Sequence, residues 1–156
     1  MITPAPNQAS ASSLQRSELR RLAVGRDIDG SAVTDDRLVL NDLVSGFDFT
    51  GQLAAIETPV DQVHITQQSL MIMAGRVYSG FAPVISDALA QPLEIWLTQF
   101  NDFPRQIYIA SVRRVRRSWL YIRQNRDTSI FWQVTNSERK ANEWRRGQLL
   151  WGASNG

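Results

Sequence analysis

Residues 107–135, IYIASVRRVRRSWLYIRQNRDTSIFWQVT, decide the fold. Three runs within them, residues 107–113, 119–124 and 130–135, are rich in β-branched and aromatic residues and alternate with the two-residue period of a β-strand. The gaps between the runs, residues 114–118 and 125–129, are short and polar, as in hairpins. The stretch therefore predicts three consecutive antiparallel strands.

Further elements are predicted on both sides of this stretch. Residues 148–151 (QLLW) resemble a fourth strand, and Ser137 and Gly147 bracket a short helix before it. Upstream, apolar spacing predicts helices over residues 14–24, 36–44, 67–76, after Pro83, and over 93–100, where Pro92 fits the first turn. Residues 63–65 fit either a short strand or the approach to a helix. The predicted fold class is α+β, with N-terminal helices followed by a four-stranded antiparallel sheet.

The chain of 156 residues divides into three predicted regions. Residues 1–13 are rich in Pro, Ala and Ser and are expected to form a disordered tail or linker. Residues 14–59 form an N-terminal helical segment, and residues 60–156 form the main domain. The sequence shows neither a secretory signal peptide nor a run of about 18 apolar residues, so we expect a soluble protein without a membrane partner.

The net charge of +2 conceals an asymmetry along the chain. Residues 1–100 carry six Arg against eleven acidic residues, a net charge of −5, whereas residues 101–156 carry ten Arg and one Lys against four acidic residues, a net charge of +7. Such asymmetry indicates a polyanionic partner for the basic half. Alternatively, the two halves neutralise each other where they meet.

Arginines and aromatic residues share faces of the predicted sheet. Trp119, Tyr121 and Arg123 alternate onto one face, while Trp132 lies on the third strand. Aromatic plates beside cations suit single-stranded nucleic acid, because bases stack while Arg binds phosphate. The alternative is ordinary strand packing, in which Arg stems cover aromatic rings.

The first predicted hairpin carries four cations, which repel one another unless an anion is present. A solvated basic turn is the alternative. The predicted nucleic-acid-binding residues are therefore Arg105, Arg113, Arg114, Arg116, Arg117, Tyr121, Arg123, Trp132 and Lys140.

The inventory of chemical groups is short. The chain has one His, no Cys, no carboxylate pair at metal-ligand spacing and no glycine-rich phosphate loop. We therefore expect neither a metal nor a cofactor. Acid–base chemistry by His, Glu or Tyr beside Arg remains, and RNA cleavage can use it because the substrate supplies its own nucleophile, the ribose 2′-OH.

Six motifs, taken in order, carry a family resemblance. The motifs are His64, Arg76, residues 92–96 (PLEIW), residues 105–109 (RQIYI), Thr135 and residues 145–151 (RRGQLLW). Through them the chain resembles the phage branch of the barnase–EndoU–colicin–RelE-like nucleases over about residues 60–152, and the fold of that family agrees with the α+β prediction.

The resemblance implies that His64, Arg76, Glu94, Arg105, Thr135 and Arg145 lie near one cleft. His64 would act as a general acid or base, and Arg76 or Arg145 would bind the scissile phosphate. Thr135 would donate a hydrogen bond to that phosphate, and Glu94 would be the second proton-transfer group. Structural roles are the alternatives for two of these residues: Glu94 as a charge partner or Arg clamp, and His64 as a structural histidine.

The resemblance implies a metal-independent ribonuclease acting in the bacterial cytoplasm as a toxin or phage-borne protein, delivered by a secretion system or a phage particle. Its expected partners are RNA, either tRNA or another structured RNA, and an acidic immunity protein. A non-catalytic nucleic-acid-binding or phage head-assembly module is one alternative. An ADP-ribosyltransferase-like toxin is another, with Glu143 as the nearest candidate for its glutamate.

Overall fold

The computed structural model describes residues 27–152 and contains a largely antiparallel sheet with helices packed against both of its faces. Two 3₁₀ helices, Gln68–Met73 and Ser79–Phe81, precede the longest helix of this part of the chain. The other elements, in chain order, are β1 (Ile28–Asp29), α1 (Leu40–Val44), β2 (Leu53–Glu57), β3 (Gln62–Thr66), α2 (Ala82–Ala90), β4 (Glu94–Thr98), β5 (Arg105–Arg113), β6 (Arg117–Gln124), β7 (Ile130–Thr135), α3 (Glu138–Glu143) and β8 (Gln148–Trp151).

The main sheet has the order β7-β6-β5-β4-β8, and β1 pairs in parallel with the end of β5. The α+β class and the four predicted strands, now β5 to β8, are confirmed. However, the described residues form a six-stranded sheet rather than a four-stranded one, and strands precede most of the helices.

The difference in strand number arises mainly from β4, because the helix predicted over residues 93–100 is wrong. Residues 93–96 are all buried, since β4 lies between β5 and β8 and is covered on both faces. A strand buried on both faces shows no alternation, so its apolar run has no period that separates it from a buried helix.

Each face of the sheet packs into its own core. Ile95, Leu120 and Trp132 point toward α2 and the N-terminal elements and join the larger core. Trp96, Trp119 and other side chains of the opposite face form a smaller core with Ala141 and Trp144. The predicted partition of side chains between the two faces therefore holds, but the second face is partly covered rather than open.

Residues before the main sheet share its larger core. Leu43 of α1 and Ile56 of β2 belong to it, so packing continues across the boundary expected at residue 59. Residues 63–65 lie in β3, which pairs with β2 as a hairpin, and the helix predicted over residues 67–76 is the shorter 3₁₀ helix Gln68–Met73. The tail predicted over residues 1–13 and the helix predicted over 14–24 lie outside the described residues.

Asp61 ties the β2–β3 hairpin to the main sheet. It accepts hydrogen bonds from the Tyr108 hydroxyl at 2.9 Å and from the Gln106 amide at 2.6 Å, both on β5. Burial, together with the charge of Asp61, holds the pKa of Tyr108 above its ordinary value. None of the helices in residues 27–152 is long and apolar enough to cross a membrane.

Residues 136–147, here called the crossover segment, connect β7 at one edge of the sheet to β8 near the other. Ser137 begins α3 by accepting a hydrogen bond from the Lys140 amide, as predicted for its cap. Gly147 ends the segment at φ +86°, where a Cβ atom would lie 2.1 Å from the Leu97 carbonyl oxygen. Only glycine fits this position, because both the backbone angle and the space exclude a side chain.

Candidate active site

Glu94 and Arg145 form a buried ion pair. Two parallel hydrogen bonds join them, Nε to Oε1 at 2.7 Å and Nη2 to Oε2 at 2.6 Å, and neither side chain is exposed. The Trp96 indole donates to Glu94 at 2.8 Å, and the Arg145 guanidinium lies 5.4 Å from the centre of the Trp119 ring. In this arrangement neither charge is open to a substrate. The geometry fits the Arg-clamp alternative for Glu94 rather than the catalytic roles implied for the pair.

His64 and Arg76 lie apart from that pair. His64 is exposed on β3, between the inward-facing Val63 and Ile65, and its carbonyl oxygen accepts a hydrogen bond from the Gln124 amide at 3.0 Å. Arg76 is exposed and donates from Nε to the Ile72 carbonyl at 2.6 Å. Neither His64 nor Arg76 lines the cavity that Thr135 lines.

Acidic residues from the N-terminal half partly neutralise the arginines of the β5–β6 hairpin. Asp27 lies 3.1 Å from Arg113 Nε and 3.3 Å from Arg117 Nε, and Asp35 lies 3.0 Å from Arg114. Burial would raise the pKa of Asp27, but the hydrogen bond from Ser111 and the arginine charges outweigh it and hold that pKa below its ordinary value. For these three arginines the geometry fits the alternative in which the two halves of the chain neutralise each other. Arg116 is exposed at the turn.

Two further arginines, Arg105 and Arg123, are also held by neighbouring side chains. Arg105 lies 4.6 Å from the centre of the Phe100 ring, pairs with Asp102 at 2.6 Å, and lines a cavity of about 290 Å³ beside Asp61. Arg123 lies 4.5 Å from the Phe131 ring centre. Their contacts suit the alternative of Arg stems packed on aromatic rings.

Tyr121 and Trp132 do not lie on an open sheet face, where their stacking on bases was expected. Trp132 is 1% exposed on the helix-covered face, and its indole donates to the Tyr78 carbonyl at 2.8 Å. Tyr121 is 6% exposed beneath Trp144, with 5.2 Å between the ring centres. Trp132 is covered by elements that precede the main sheet, and Tyr121 is largely covered by Trp144 of the crossover segment.

Thr135 and Lys140 line a different cavity, here called the Glu143 groove. It has a volume of about 570 Å³, lies beside the edge strand β7, and is lined by Tyr78, Gln133, Val134, Thr135, Asn136, Lys140, Glu143 and Trp144. A second cavity of about 230 Å³, here called the Gln133 pocket, is lined by Thr98, Phe100, Ile107, Tyr121, Gln133, Glu143, Trp144 and Arg146. The two cavities are neighbours, because they share Gln133, Glu143 and Trp144, and together they are here called the depression.

The crossover segment places acid–base groups along this depression. Lys140 and Glu143 lie one turn apart on α3, and both are exposed. Within residues 27–152 neither they nor Arg146 form an ion pair. Thr135 Oγ1 accepts a hydrogen bond from the Ser137 amide at 3.0 Å, which leaves its hydroxyl hydrogen to donate. The depression therefore combines a carboxylate, two cations and hydroxyl donors.

The predicted site residues did not include Tyr78, Gln133, Glu143, Trp144 or Arg146, which line the depression. Their sequence signal was weak, although Glu143 follows Lys140 by three residues on the helix that Ser137 was predicted to cap. In the part of the chain that the structure describes, no group of three or more His, Asp or Glu residues is placed to hold a metal ion.

Comparison with known families identifies one match. The family model described as phage-Barnase-EndoU-ColicinE5/D-RelE like nuclease 2 matches residues 42–152, most of the chain, and spans β2 to β8, the crossover segment and both cavities of the depression. No curated protein and no solved structure matches the chain significantly.

Proposed function

The chain belongs to the phage-Barnase-EndoU-ColicinE5/D-RelE like nuclease 2 family, and on that premise we propose that it cleaves RNA by metal-independent transesterification in the Glu143 groove. One observation carries the proposal: the groove holds an exposed carboxylate, Glu143, beside Lys140 and the hydroxyl of Thr135. These groups are not engaged in ion pairs within residues 27–152, so they are free to act on a substrate.

The proposed reaction needs two proton transfers and one anion site. Glu143 accepts the proton of the ribose 2′-OH as that oxygen forms a bond to phosphorus. Lys140 and Arg146 stabilise the dianionic phosphorane, and Thr135 donates a hydrogen bond to it. The bond from phosphorus to the 5′-oxygen then breaks, and the Tyr78 hydroxyl protonates the leaving oxygen. The products are a 2′,3′-cyclic phosphate and a free 5′-hydroxyl.

One observation favours a second candidate, a non-catalytic nucleic-acid-binding module. Two of the residues implied to be catalytic by the resemblance, Glu94 and Arg145, are buried in the interior. A protein that kept the fold and lost its chemistry would look similar at these positions. The same experiment separates the two candidates.

The test incubates the purified chain with total bacterial RNA in excess EDTA and analyses the fragment ends. We expect 2′,3′-cyclic phosphate ends and a loss of rate of about 10²–10⁴-fold in Glu143→Gln, the range for removal of a general base. The matched control is Glu138→Gln on the same helix, which is exposed and does not line the groove. Unchanged thermal midpoints verify folding in both variants.

Several outcomes contradict the proposal. Intact RNA that the protein still retards in a salt-dependent way supports the binding module. Cleavage that EDTA abolishes excludes the metal-independent route. Consumption of NAD without RNA cleavage supports ADP-ribosyl transfer. Equal cleavage by the wild type and Glu143→Gln removes Glu143 from the mechanism.

A further inference from the structure

The Gln133 pocket has the size and walls of a site for one flat ring. Its volume of about 230 Å³ leaves room for one planar heterocycle. Aromatic side chains of Phe100, Tyr121 and Trp144 contribute to its lining. Aromatic rings bind nucleobases by stacking, whatever the base.

Contacts outside the pocket hold the aromatic walls in place. The Tyr121 ring packs edge-on against Phe131, with 6.4 Å between the centres, and its hydroxyl accepts a hydrogen bond from Arg123 at 3.2 Å. The Trp144 ring is tilted by 58° against Tyr121. The pocket is therefore preorganised, and little ordering of side chains opposes binding.

Gln133 supplies the polar recognition group. It lies opposite Tyr121 in the β6–β7 ladder and is half-buried between the groove and the pocket. Its side-chain amide forms no hydrogen bond with any residue from 27 to 152. An amide offers a donor and an acceptor side by side, and a partly buried amide without partners gains from a ligand that satisfies both.

We propose that the Gln133 pocket binds one unstacked adenine base of the RNA, next to the phosphate held in the Glu143 groove. Adenine presents N7 as an acceptor and its N6 amino group as a donor on one edge, and an amide satisfies both at once. Guanine presents two acceptors on that edge, and pyrimidines lack N7. The proposal rests on the proposed function and deepens it: the substrate is a single-stranded or looped segment with adenine at the cleavage site, since a base must leave its stack to enter.

The test measures binding of 3′-AMP, 3′-GMP, 3′-CMP and 3′-UMP to the intact chain by calorimetry and by NMR of the Gln133 side-chain amide. We expect 3′-AMP to bind most tightly and to shift the Gln133 signal. Gln133→Glu removes the donor and is expected to weaken 3′-AMP binding about 5- to 150-fold, the range of one bidentate contact. Gln52→Glu, the same change at an exposed turn residue, is the matched control and should leave binding unchanged.

Gln133→Met, which keeps the length of the side chain, provides a second variant if the added charge disturbs folding. Equal affinity of the wild type and both variants for 3′-AMP overturns the proposal, as does tighter binding of another nucleotide. Nucleotide binding does not require cleavage, so the two proposals fail separately. If 3′-AMP binding depends on Gln133 but the protein does not cleave RNA, the adenine pocket is supported and the nuclease mechanism is contradicted. If cleavage depends on Glu143 but its rate is the same with and without adenine at the cleavage site, and the same in Gln133→Glu, the adenine pocket is contradicted and the nuclease mechanism stands.

Discussion

Glu94 illustrates how one residue type serves two roles in the same sequence. In β4 it stands among buried apolar residues, where a carboxylate persists only with a matched cation, and Arg145 supplies two hydrogen bonds. Glu143, on the exposed helix α3, has no such partner within residues 27–152 and remains available to a ligand. Burial and pairing, rather than residue type, separate the structural glutamate from the candidate catalytic one.

Breaking the buried pair should destabilise the protein strongly. Glu94→Gln removes the carboxylate that pairs with the buried Arg145, and Arg145→Met removes the cation that pairs with the buried Glu94. We expect each change to lower the free energy of unfolding by about 3–5 kcal/mol. The double variant Glu94→Met/Arg145→Met should cost less than the sum of the single changes, because both charges leave together. Urea denaturation followed by circular dichroism measures these differences.

The control for this prediction is Asp102→Asn, which removes a more exposed partner from Arg105 and should leave the urea midpoint nearly unchanged. A midpoint for Glu94→Gln as high as that of the control would mean that the pair does not hold the structure. The rate of RNA cleavage per folded molecule should be unchanged in Glu94→Gln, whereas it should fall in Glu143→Gln.

The candidate site was only partly predictable at the residue scale. Thr135 and Lys140 were selected from the sequence and line the groove, whereas Tyr78, Gln133 and Trp144 were not selected. These three come from a loop, a strand and the end of a helix, and they meet only because the crossover segment docks on the sheet. Such long-range contacts leave no local periodicity in a single sequence.

At the scale of elements, local rules predicted the hairpin strands and failed for β4. The strands β5, β6 and β7 carry alternating side chains and polar turns, and both signals are local. β4 is defined by its neighbours β5 and β8, and β8 lies some fifty residues further along the chain. The two-residue strand β1 is too short for any pattern and exists through its pairing with β5.

The docking of β1 should depend on pH through Asp27. The folded-state pKa of Asp27 lies below its ordinary value of 3.8, so the ionised carboxylate contributes stability at pH values above 3.8. That contribution is lost as the pH falls below 3.8 and through the folded-state pKa. We therefore expect Asp27→Asn to destabilise the protein at pH 6 and to have a progressively smaller effect below pH 3.8.

Urea denaturation at a series of pH values checks this expectation, and hydrogen exchange of the Gly30 amide, which donates to the Arg113 carbonyl at 2.8 Å, reports on β1 itself. Asp35→Asn is the comparison, since Asp35 is 87% exposed in its pair with Arg114. An effect of Asp27→Asn that stays constant from pH 6 to pH 2 would show that the ion cluster does not anchor β1.

At the scale of the whole molecule, ion pairs between the acidic N-terminal half and the basic C-terminal half reduce the charge asymmetry of the sequence. Residues 27–152 carry thirteen Arg and Lys against fourteen Asp and Glu, so the described part is close to neutral. The hairpin cations Arg113, Arg114 and Arg117 meet acidic partners, whereas Lys140 and Arg146 in the depression form no ion pairs within that part. Contact with RNA phosphate should therefore concentrate at the depression rather than at the hairpin.

The salt dependence of RNA binding tests this distribution. Each phosphate contact to single-stranded RNA contributes about 0.7 to the slope of log K against log salt concentration. We expect Lys140→Ala and Arg146→Ala each to reduce the slope by about that amount, and Arg114→Ala to leave it unchanged. Titration of fluorescent RNA by anisotropy at four salt concentrations measures the slopes. A larger reduction in Arg114→Ala than in Lys140→Ala would place the RNA on the hairpin.

The path of the crossover segment also bears on the order in which the protein acquires its activity. Synthesis delivers β4 to β7 first, yet Lys140, Glu143, Trp144 and Arg146 reach their places only when the segment spans the sheet and β8 pairs with β4. A nascent chain interrupted before residue 138 lacks α3, and with it the wall of the groove that carries Lys140 and Glu143. We therefore expect fragments from interrupted translation to be inert toward the RNA of the ribosome that makes them.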